Sequence, residues 1–325
     1  MKTASPKIPL LWRGGRRKAD GVVHFTPTPT NIKEHTIMQR DPWDYPNMPP
    51  AEHLRLSDPT HSPGTFEPRE PPPPVDPKAY RFVGPTTGEI VAGVVYLVLH
   101  MFIVAEILFF LFDMAGVMPS LMVLNVLYFA IGTVVLLICM RRYLKVSFVR
   151  FRQFGASKNA LTILIGYGVT FGLAMAVGIV VSILAPDVTN YNQEAVEALM
   201  GQNIFISLFI AVILAPFLEE LLFRGAIFAP LRRKNRILAY AVSTLAFAFL
   251  HIASALFFAP FFDLFFVMLV YIPSGLVLAW VYERSGNIWT AISLHAVWNL
   301  IAVLLGLLYE NLDLEVYSAI LYRIL

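Results

Sequence analysis

The chain has one cysteine and little charge. Cys139 stands alone among 325 residues, so no intrachain disulfide can form, and its place in an apolar run suits packing. Charged residues make up 14% of the sequence and hydrophobic ones 57%, against about 45–50% apolar in an ordinary soluble domain. The mean hydropathy is +0.64. Residues 1–30 lack an apolar segment ahead of a small-residue cleavage site, so no cleaved secretory leader is expected there. The first apolar stretch, near residue 90, is expected to act as an uncleaved membrane signal. Position 2 is not glycine and the last residues form no prenylation box, so lipid anchoring of the chain itself is not indicated. Nothing in the sequence calls for a nucleic-acid partner.

The apolar residues are unevenly placed. Residues 1 to about 85 are polar and hold 17 of the 23 prolines, including the run Pro71–Pro74. With few periodic apolar positions, this segment reads as a disordered or extended cytoplasmic tail. Its basic cluster Arg13–Lys18 reads as a solvated charge run, or as a contact for anionic lipid. Residues 86–325 read as a transmembrane helical domain. About 20 apolar residues are needed to cross ~30 Å of hydrocarbon. Spans are expected at roughly 90–112, 120–140, 160–185, 203–222, 237–256, 261–282 and 287–309. A further amphipathic or inserted helix over 310–325 would make eight. The fold class is therefore an all-α, polytopic membrane bundle.

Charge orients the spans. The 141–158 loop carries Arg141, Arg142, Lys145, Arg150, Arg152 and Lys158, and the 224–236 segment carries Arg224, Arg232, Arg233, Lys234 and Arg236. Connections 113–119 and 186–202 contain no Lys or Arg, and the second holds Asp187, Glu194 and Glu197. By the positive-inside rule the basic connections, Arg284 and the N-terminal tail are expected in the cytoplasm.

Against this background a few polar residues stand out. Asp, Lys or Arg at mid-helix costs roughly 2.5–3.5 kcal/mol on insertion scales, so such residues at membrane depth are usually functional. Glu220 and Arg224 are spaced i, i+4 and can pair on one helix face. Glu219 points about 100° away and is left free for chemistry. Pro216 removes a backbone donor just upstream and favours a kink. Phe247-x-x-x-His251 and His295-x-x-x-Asn299 each place two side chains on one face of their own spans. Counted from the expected cytoplasmic ends, Glu219 lies about one turn in, His295 about two, and His251 about four. His100, Glu106 and Asp263 are also apolar-span residues; a structural role is expected for each, and His100 and Glu106 should lie on opposite faces of one helix.

A carboxylate in apolar surroundings is a stronger base near neutral pH, and donors aimed at a developing oxyanion are worth a few kcal/mol each. Glu219, His251 and His295 can alternatively bind zinc and leave a position for water. The spacing is not a helical His-Glu-x-x-His motif, which disfavours that reading.

Glu219-Glu220-Leu-Leu-Phe-Arg224, Phe247-Ala-Phe-Leu-His251 and His295-Ala-Val-Trp-Asn299, in this order and each in its own span, resemble the CAAX protease and bacteriocin-processing family of type II CAAX prenyl endopeptidases. Arg284-Ser-Gly-Asn-Ile-Trp289 and Gly275 add to the likeness, which covers about residues 160–305. The resemblance implies hydrolysis of a peptide bond near the cytoplasmic face by glutamate-activated water, without an obligatory metal. It implies Glu219 as general base, His251 holding the water, His295 and Asn299 stabilising the oxyanion, and Glu220, Arg224 and Phe247 in support. The partners implied are a peptide or protein substrate, lipidated in some members, and membrane lipid. Two other classes remain open at this point: a non-enzymatic immunity or scaffold protein on the same fold, and, more weakly, a transporter, for which no inverted repeat is visible.

Overall fold

A computed structural model describes residues 84–312, with side-chain surroundings to residue 308. The expected tail and the expected helix over 310–325 lie outside the described residues, apart from the first and last turns. Every regular element described is helical. They are α1 (Thr87–Phe102), α2 (Val104–Met114), α3 (Leu121–Cys139), α4 (Arg141–Phe154), α5 (Ala156–Leu184), α6 (Tyr191–Gln202), α7 (Ile204–Arg232), α8 (Arg236–Ala253), α9 (Phe261–Ser285) and α10 (Ile288–Leu312). Six are long and apolar enough to cross a membrane, and the bent pair α1 and α2 makes seven. The chain is thus a multi-pass membrane bundle, with spans close to those the sequence marks.

Local chemistry sets the ends. Thr86 and Glu89 form a reciprocal capping box at the start of α1. Ser120, Asn190, Asn203 and Asn235 each accept a backbone N–H in the first turn of α3, α6, α7 and α8. Gly286 closes α9 in the left-handed region at φ 67°, where a side chain would be strained.

The first span is broken at Ile103, where α1 and α2 meet at 53°. His100 therefore ends one helix and Glu106 begins another. His100 is fully buried and stacks on Tyr128 at 3.8 Å, while the Tyr128 hydroxyl donates to the His100 carbonyl at 2.9 Å. Glu106 is exposed, Asp263 half-buried, and Cys139 exposed on the apolar surface of α3 rather than packed.

The basic segment 141–154 is itself helical. α4 joins the first span to the last two: Glu89 accepts from the Tyr143 backbone N–H at 2.8 Å, and the Tyr143 and Tyr282 hydroxyls bond at 2.6 Å. Burial pushes the Tyr143 hydroxyl upward from its usual pKa, so it stays protonated. Ser147 caps the Ile288 N–H at 2.7 Å, and the Trp289 indole donates to the Leu144 carbonyl at 3.2 Å. The first turn of α10 is thereby fixed on α4, which sets the height of His295.

A second tie lies at the same end. Glu283 of α9 binds Arg232 of α7, and Arg236 and Tyr240 of α8 at 2.9 and 2.6 Å. Between these ties and the centre of the bundle lies a closed apolar layer. It includes Leu221, Leu222, Phe223 and Phe228 of α7, Phe247 of α8, and Val281 and Tyr282 of α9, all 2% exposed or less.

Candidate active site

α7 is not a regular α-helix, and its irregularity positions the site. It widens to π-helix over Ile210–Leu214 and again over Leu221–Phe228. π-helical turns inside α-helices are frequent at functional sites. In the first, the Ala215 N–H bonds the Ile210 carbonyl. The corresponding donor for Ala211 would be residue 216, which is proline and has no N–H. Asn299 of α10 supplies the missing partner: its Nδ2 donates to the Ala211 carbonyl at 2.7 Å. Asn299 thus locks α10 onto α7, and the amide's second N–H is left for another acceptor.

Just beyond Pro216, Glu220 and Arg224 form the expected pair, with Nη1 donating to Oε1 at 3.0 Å and both side chains completely buried. The same Oε1 accepts from His295 Nδ1 at 2.9 Å. Arg224 Nη2 donates to the Gly275 carbonyl at 2.8 Å, and its guanidinium lies 4.8 Å from the centre of the Phe247 ring. Gly275 is close to the wall of α8: a methyl group there would sit 3.1 Å from Thr244 Cγ2 and 3.2 Å from the Phe247 ring.

Glu219 has a different environment. It is 5% exposed, and its Oε2 takes no hydrogen bond from the chain, although His295 Nε2 stands 3.8 Å away. Each carboxylate therefore reads opposite nitrogens of one imidazole: Glu220 holds Nδ1, and Glu219 faces Nε2. Phe247 lies between the two histidines, with ring centres 4.7 Å from His251 and 5.8 Å from His295. His251 Nδ1 lies 2.9 Å from the Phe247 carbonyl, which can only accept, so Nδ1 carries the proton and Nε2 of the neutral ring is an acceptor.

Six of the seven residues expected at the site join through this set of contacts, and Asn299, one turn from His295 on α10, is tied instead to the Ala211 carbonyl of α7. Their depth differs from the sequence count. α7 runs on past Leu222 to Arg232, so Glu219 lies about 13 residues, or roughly 20 Å, from the basic end rather than one turn. His251 is about 11 residues, or roughly 17 Å, beyond Tyr240 at the Glu283 tie. The apparent mismatch between the two disappears.

Sequence reading missed Tyr271 and Tyr128. Tyr271 of α9 stacks on His251 at 4.0 Å, and its hydroxyl accepts from Asn192 at 2.9 Å and from Asn190 at 3.4 Å. Tyr128 of α3 stacks on His100 of α1 at 3.8 Å. The signal for Tyr271 was present: it is a polar residue one turn from Gly275 in an otherwise apolar helix. Tyr128 left no comparable mark, because its partner His100 lies on a different span. Among the described residues, no group of three or more His, Cys, Asp or Glu is placed to hold a metal ion.

A family model described as type II CAAX prenyl endopeptidase Rce1-like matches residues 201–301. UPF0177 protein YvdC of Lactococcus lactis subsp. lactis (strain IL1403) is 30% identical over 151 residues, covering 46% of this chain and 54% of that protein. UPF0177 protein YajF of the same strain is 30% identical over 98 residues, covering 30% of this chain and 43% of that protein. The chain spans about half the length of the curated relatives it matches. No solved structure matches. The resemblance to the type II CAAX prenyl endopeptidase family thus holds over residues 201–301, the segment in which all three polar motifs stand.

Proposed function

We propose that this chain is an integral-membrane endopeptidase that hydrolyses a peptide bond with water activated by Glu219. The observation that carries the reading is the division of labour between adjacent carboxylates. Glu220 is anchored through Oε1 by Arg224 and His295, with its Oε2 left over, whereas Glu219 accepts no hydrogen bond at all from the described residues. A structural ion pair needs only the first; a general base needs the second.

The remaining roles follow from hydrogen-bond chemistry. Water between Glu219 and His251 gives one proton to the carboxylate and the other, as a hydrogen bond, to His251 Nε2. Two carboxylates and one guanidinium leave the cluster one negative charge in excess, and one proton shared across the 3.8 Å between Glu219 and His295 makes it neutral. With that proton on His295, Glu219 is ionised to act as base and His295 Nε2–H faces the developing oxyanion. The free N–H of Asn299 is the second donor. Glu220 and Arg224 act through His295 by fixing its ring. This mechanism needs no metal. The substrate is a peptide or protein segment, and the basic helix ends with the N-terminal tail lie in the cytoplasm. Cleavage near that face is what the family resemblance implies, and the length of α7 places Glu219 farther from the basic end than its position in the sequence suggests.

The test is mass spectrometry of membrane peptides from cells making the wild-type chain or Glu219→Gln. The expected result is a defined set of fragments that depends on Glu219. Identical peptide pools, with a phenotype that tolerates Glu219→Gln, would instead favour the immunity or scaffold reading.

A further inference from the structure

The spans α3 and α5 are joined through α4, with a single residue, Met140 or Gly155, at each junction. Gly155, at φ 91°, turns the chain from α4 into α5. Both spans therefore meet α4 at one face of the membrane. A helix of 14 residues, about 21 Å long at 1.5 Å per residue, lies along that face rather than across the bilayer. Trp289 marks the same height, since its indole donates to the Leu144 carbonyl. Tryptophan favours the boundary between hydrocarbon and water.

One side of α4 faces the bundle. Tyr143, Leu144 and Ser147 are buried there, and Tyr143 and Ser147 hold Tyr282 and the Ile288 N–H. The other side is exposed and cationic. Arg141, Lys145 and Arg152 lie within about 40° of one another around the helix, at 100° per residue. No Asp or Glu stands between Asp113 and Asp187. Among the described residues none of these three cations makes an ion pair, whereas Arg142 is paired with Glu89 at 3.5 Å. Like charges one turn apart repel, and an anion on this face relieves them. Phe148 and Val149, 46% and 54% exposed, flank the stripe on its two sides. The Phe148 ring also meets Trp289 edge-on at 5.6 Å. Cations flanked by exposed apolar side chains suit a helix lying in the membrane interface. An acidic soluble partner needs the charge alone. Phe148 and Val149 at the height of Trp289 call for phosphate and hydrocarbon together.

We infer that the exposed face of α4 binds anionic phospholipid. The phosphodiester accepts from Arg141, Lys145 and Arg152, and the acyl chains lie against Phe148 and Val149. Phosphate offsets the cations, and the apolar flanks leave water for hydrocarbon. The same helix holds the first turn of α10 through Ser147 and Leu144, so bound lipid bears on the helix that carries His295. Trp289 passes the contact on: its ring meets Phe217 of α7, two residues before Glu219, at 5.6 Å. The lipid site stands apart from the assignment of Glu219 as base.

The experiment is native mass spectrometry of the full-length protein in detergent, with phosphatidylglycerol and phosphatidylcholine of matched acyl chains added in equal amounts. The wild type is expected to retain phosphatidylglycerol in preference. The triple variant Arg141→Gln, Lys145→Gln, Arg152→Gln is expected to bind it about 10²-fold more weakly, roughly fivefold for each cation near a headgroup, with phosphatidylcholine retained as before. Arg141→Lys with Arg152→Lys keeps the charge and keeps the preference. Should the triple variant not fold, Lys145→Gln alone is read for its fivefold loss. Arg16→Gln, Arg17→Gln, Lys18→Gln removes the same charge from the N-terminal tail and leaves the preference intact. No headgroup preference in the wild type would assign the stripe to an acidic soluble partner and overturns the inference. So does a preference that survives the loss of charge on α4, or one that falls equally in the tail variant.

Discussion

At the scale of single residues, the site is an arrangement of two carboxylates around one imidazole. Replacing Glu219 by Gln keeps size and hydrogen-bonding capacity but removes basicity. The expected loss is about 10²–10⁴-fold in turnover, the usual range for a general base, with insertion and thermal stability unchanged in detergent. Arg224 behaves differently. Its guanidinium is completely buried against Glu220 and the Gly275 carbonyl, so Arg224→Ala breaks a buried ion pair and leaves the Glu220 carboxylate with His295 alone. The expected cost is about 3–5 kcal/mol, read as a lowered unfolding temperature alongside lost activity. Tyr271 contributes through orientation. Tyr271→Phe keeps the stack on His251 and loses the asparagine bonds, whereas Tyr271→Ala loses both. The alanine variant should lower kcat further than the phenylalanine variant by the equivalent of about 1 kcal/mol of ring contact, with KM little changed. Equal effects of the two would show that the stack does not position His251.

At the scale of elements, close approach of helices decides the geometry. Gly93 of α1 faces Ala226 in the second π-helical stretch of α7, where an added methyl group would lie 2.6 Å from the Ala226 Cβ. Gly132 of α3 meets Leu218 in the same way, at 2.3 Å from its Cδ1. The contact at Gly93 has no flexible side chain to yield, so the two helix backbones must separate. Gly93→Ala is expected to cost about 1–3 kcal/mol, as overpacking usually does. Differential scanning fluorimetry of the purified variant checks this, and an unchanged transition would mean that α1 does not pack against α7 so closely. The irregular turns of α7 belong to this scale as well. Pro216 leaves the Ala211 carbonyl without a backbone donor, and Asn299 on another helix completes it. A helix defect and a residue expected to stabilise an oxyanion are thereby two halves of one contact.

At the scale of the whole molecule, two expectations concern what the helical bundle can do without. Residues 1–75 share nothing with the polar motifs, so a chain lacking them is expected to insert and to cleave at the wild-type rate. Activity of the truncated protein against the Glu219-dependent substrate decides this, and loss of cleavage in a correctly inserted truncation would assign the tail a part in substrate capture. Exhaustive chelation is likewise expected to leave turnover unchanged, with bound zinc quantified in the same sample. Activity that falls with zinc and returns on its addition would make His251 and His295 ligands.

Much of this was set by the sequence itself. Apolar runs of span length fix a multi-pass helical bundle, because backbone polar groups in lipid must bond within their own helix. The basic connections predict its orientation, and i, i+4 spacing pairs Glu220 with Arg224 before any packing is known. These are local properties, governed by neighbours within a few positions. Only tertiary structure decided the rest. It showed that Glu220 serves His295 as well as Arg224, that Tyr271 stacks on His251, and that α7 extends to Arg232 and carries Glu219 well away from the basic end. Each depends on the relative height and rotation of helices far apart in the chain. Those quantities are fixed by the ties at Glu283 and α4 and by close contacts such as Gly93 with Ala226, which have no periodic trace in a single sequence.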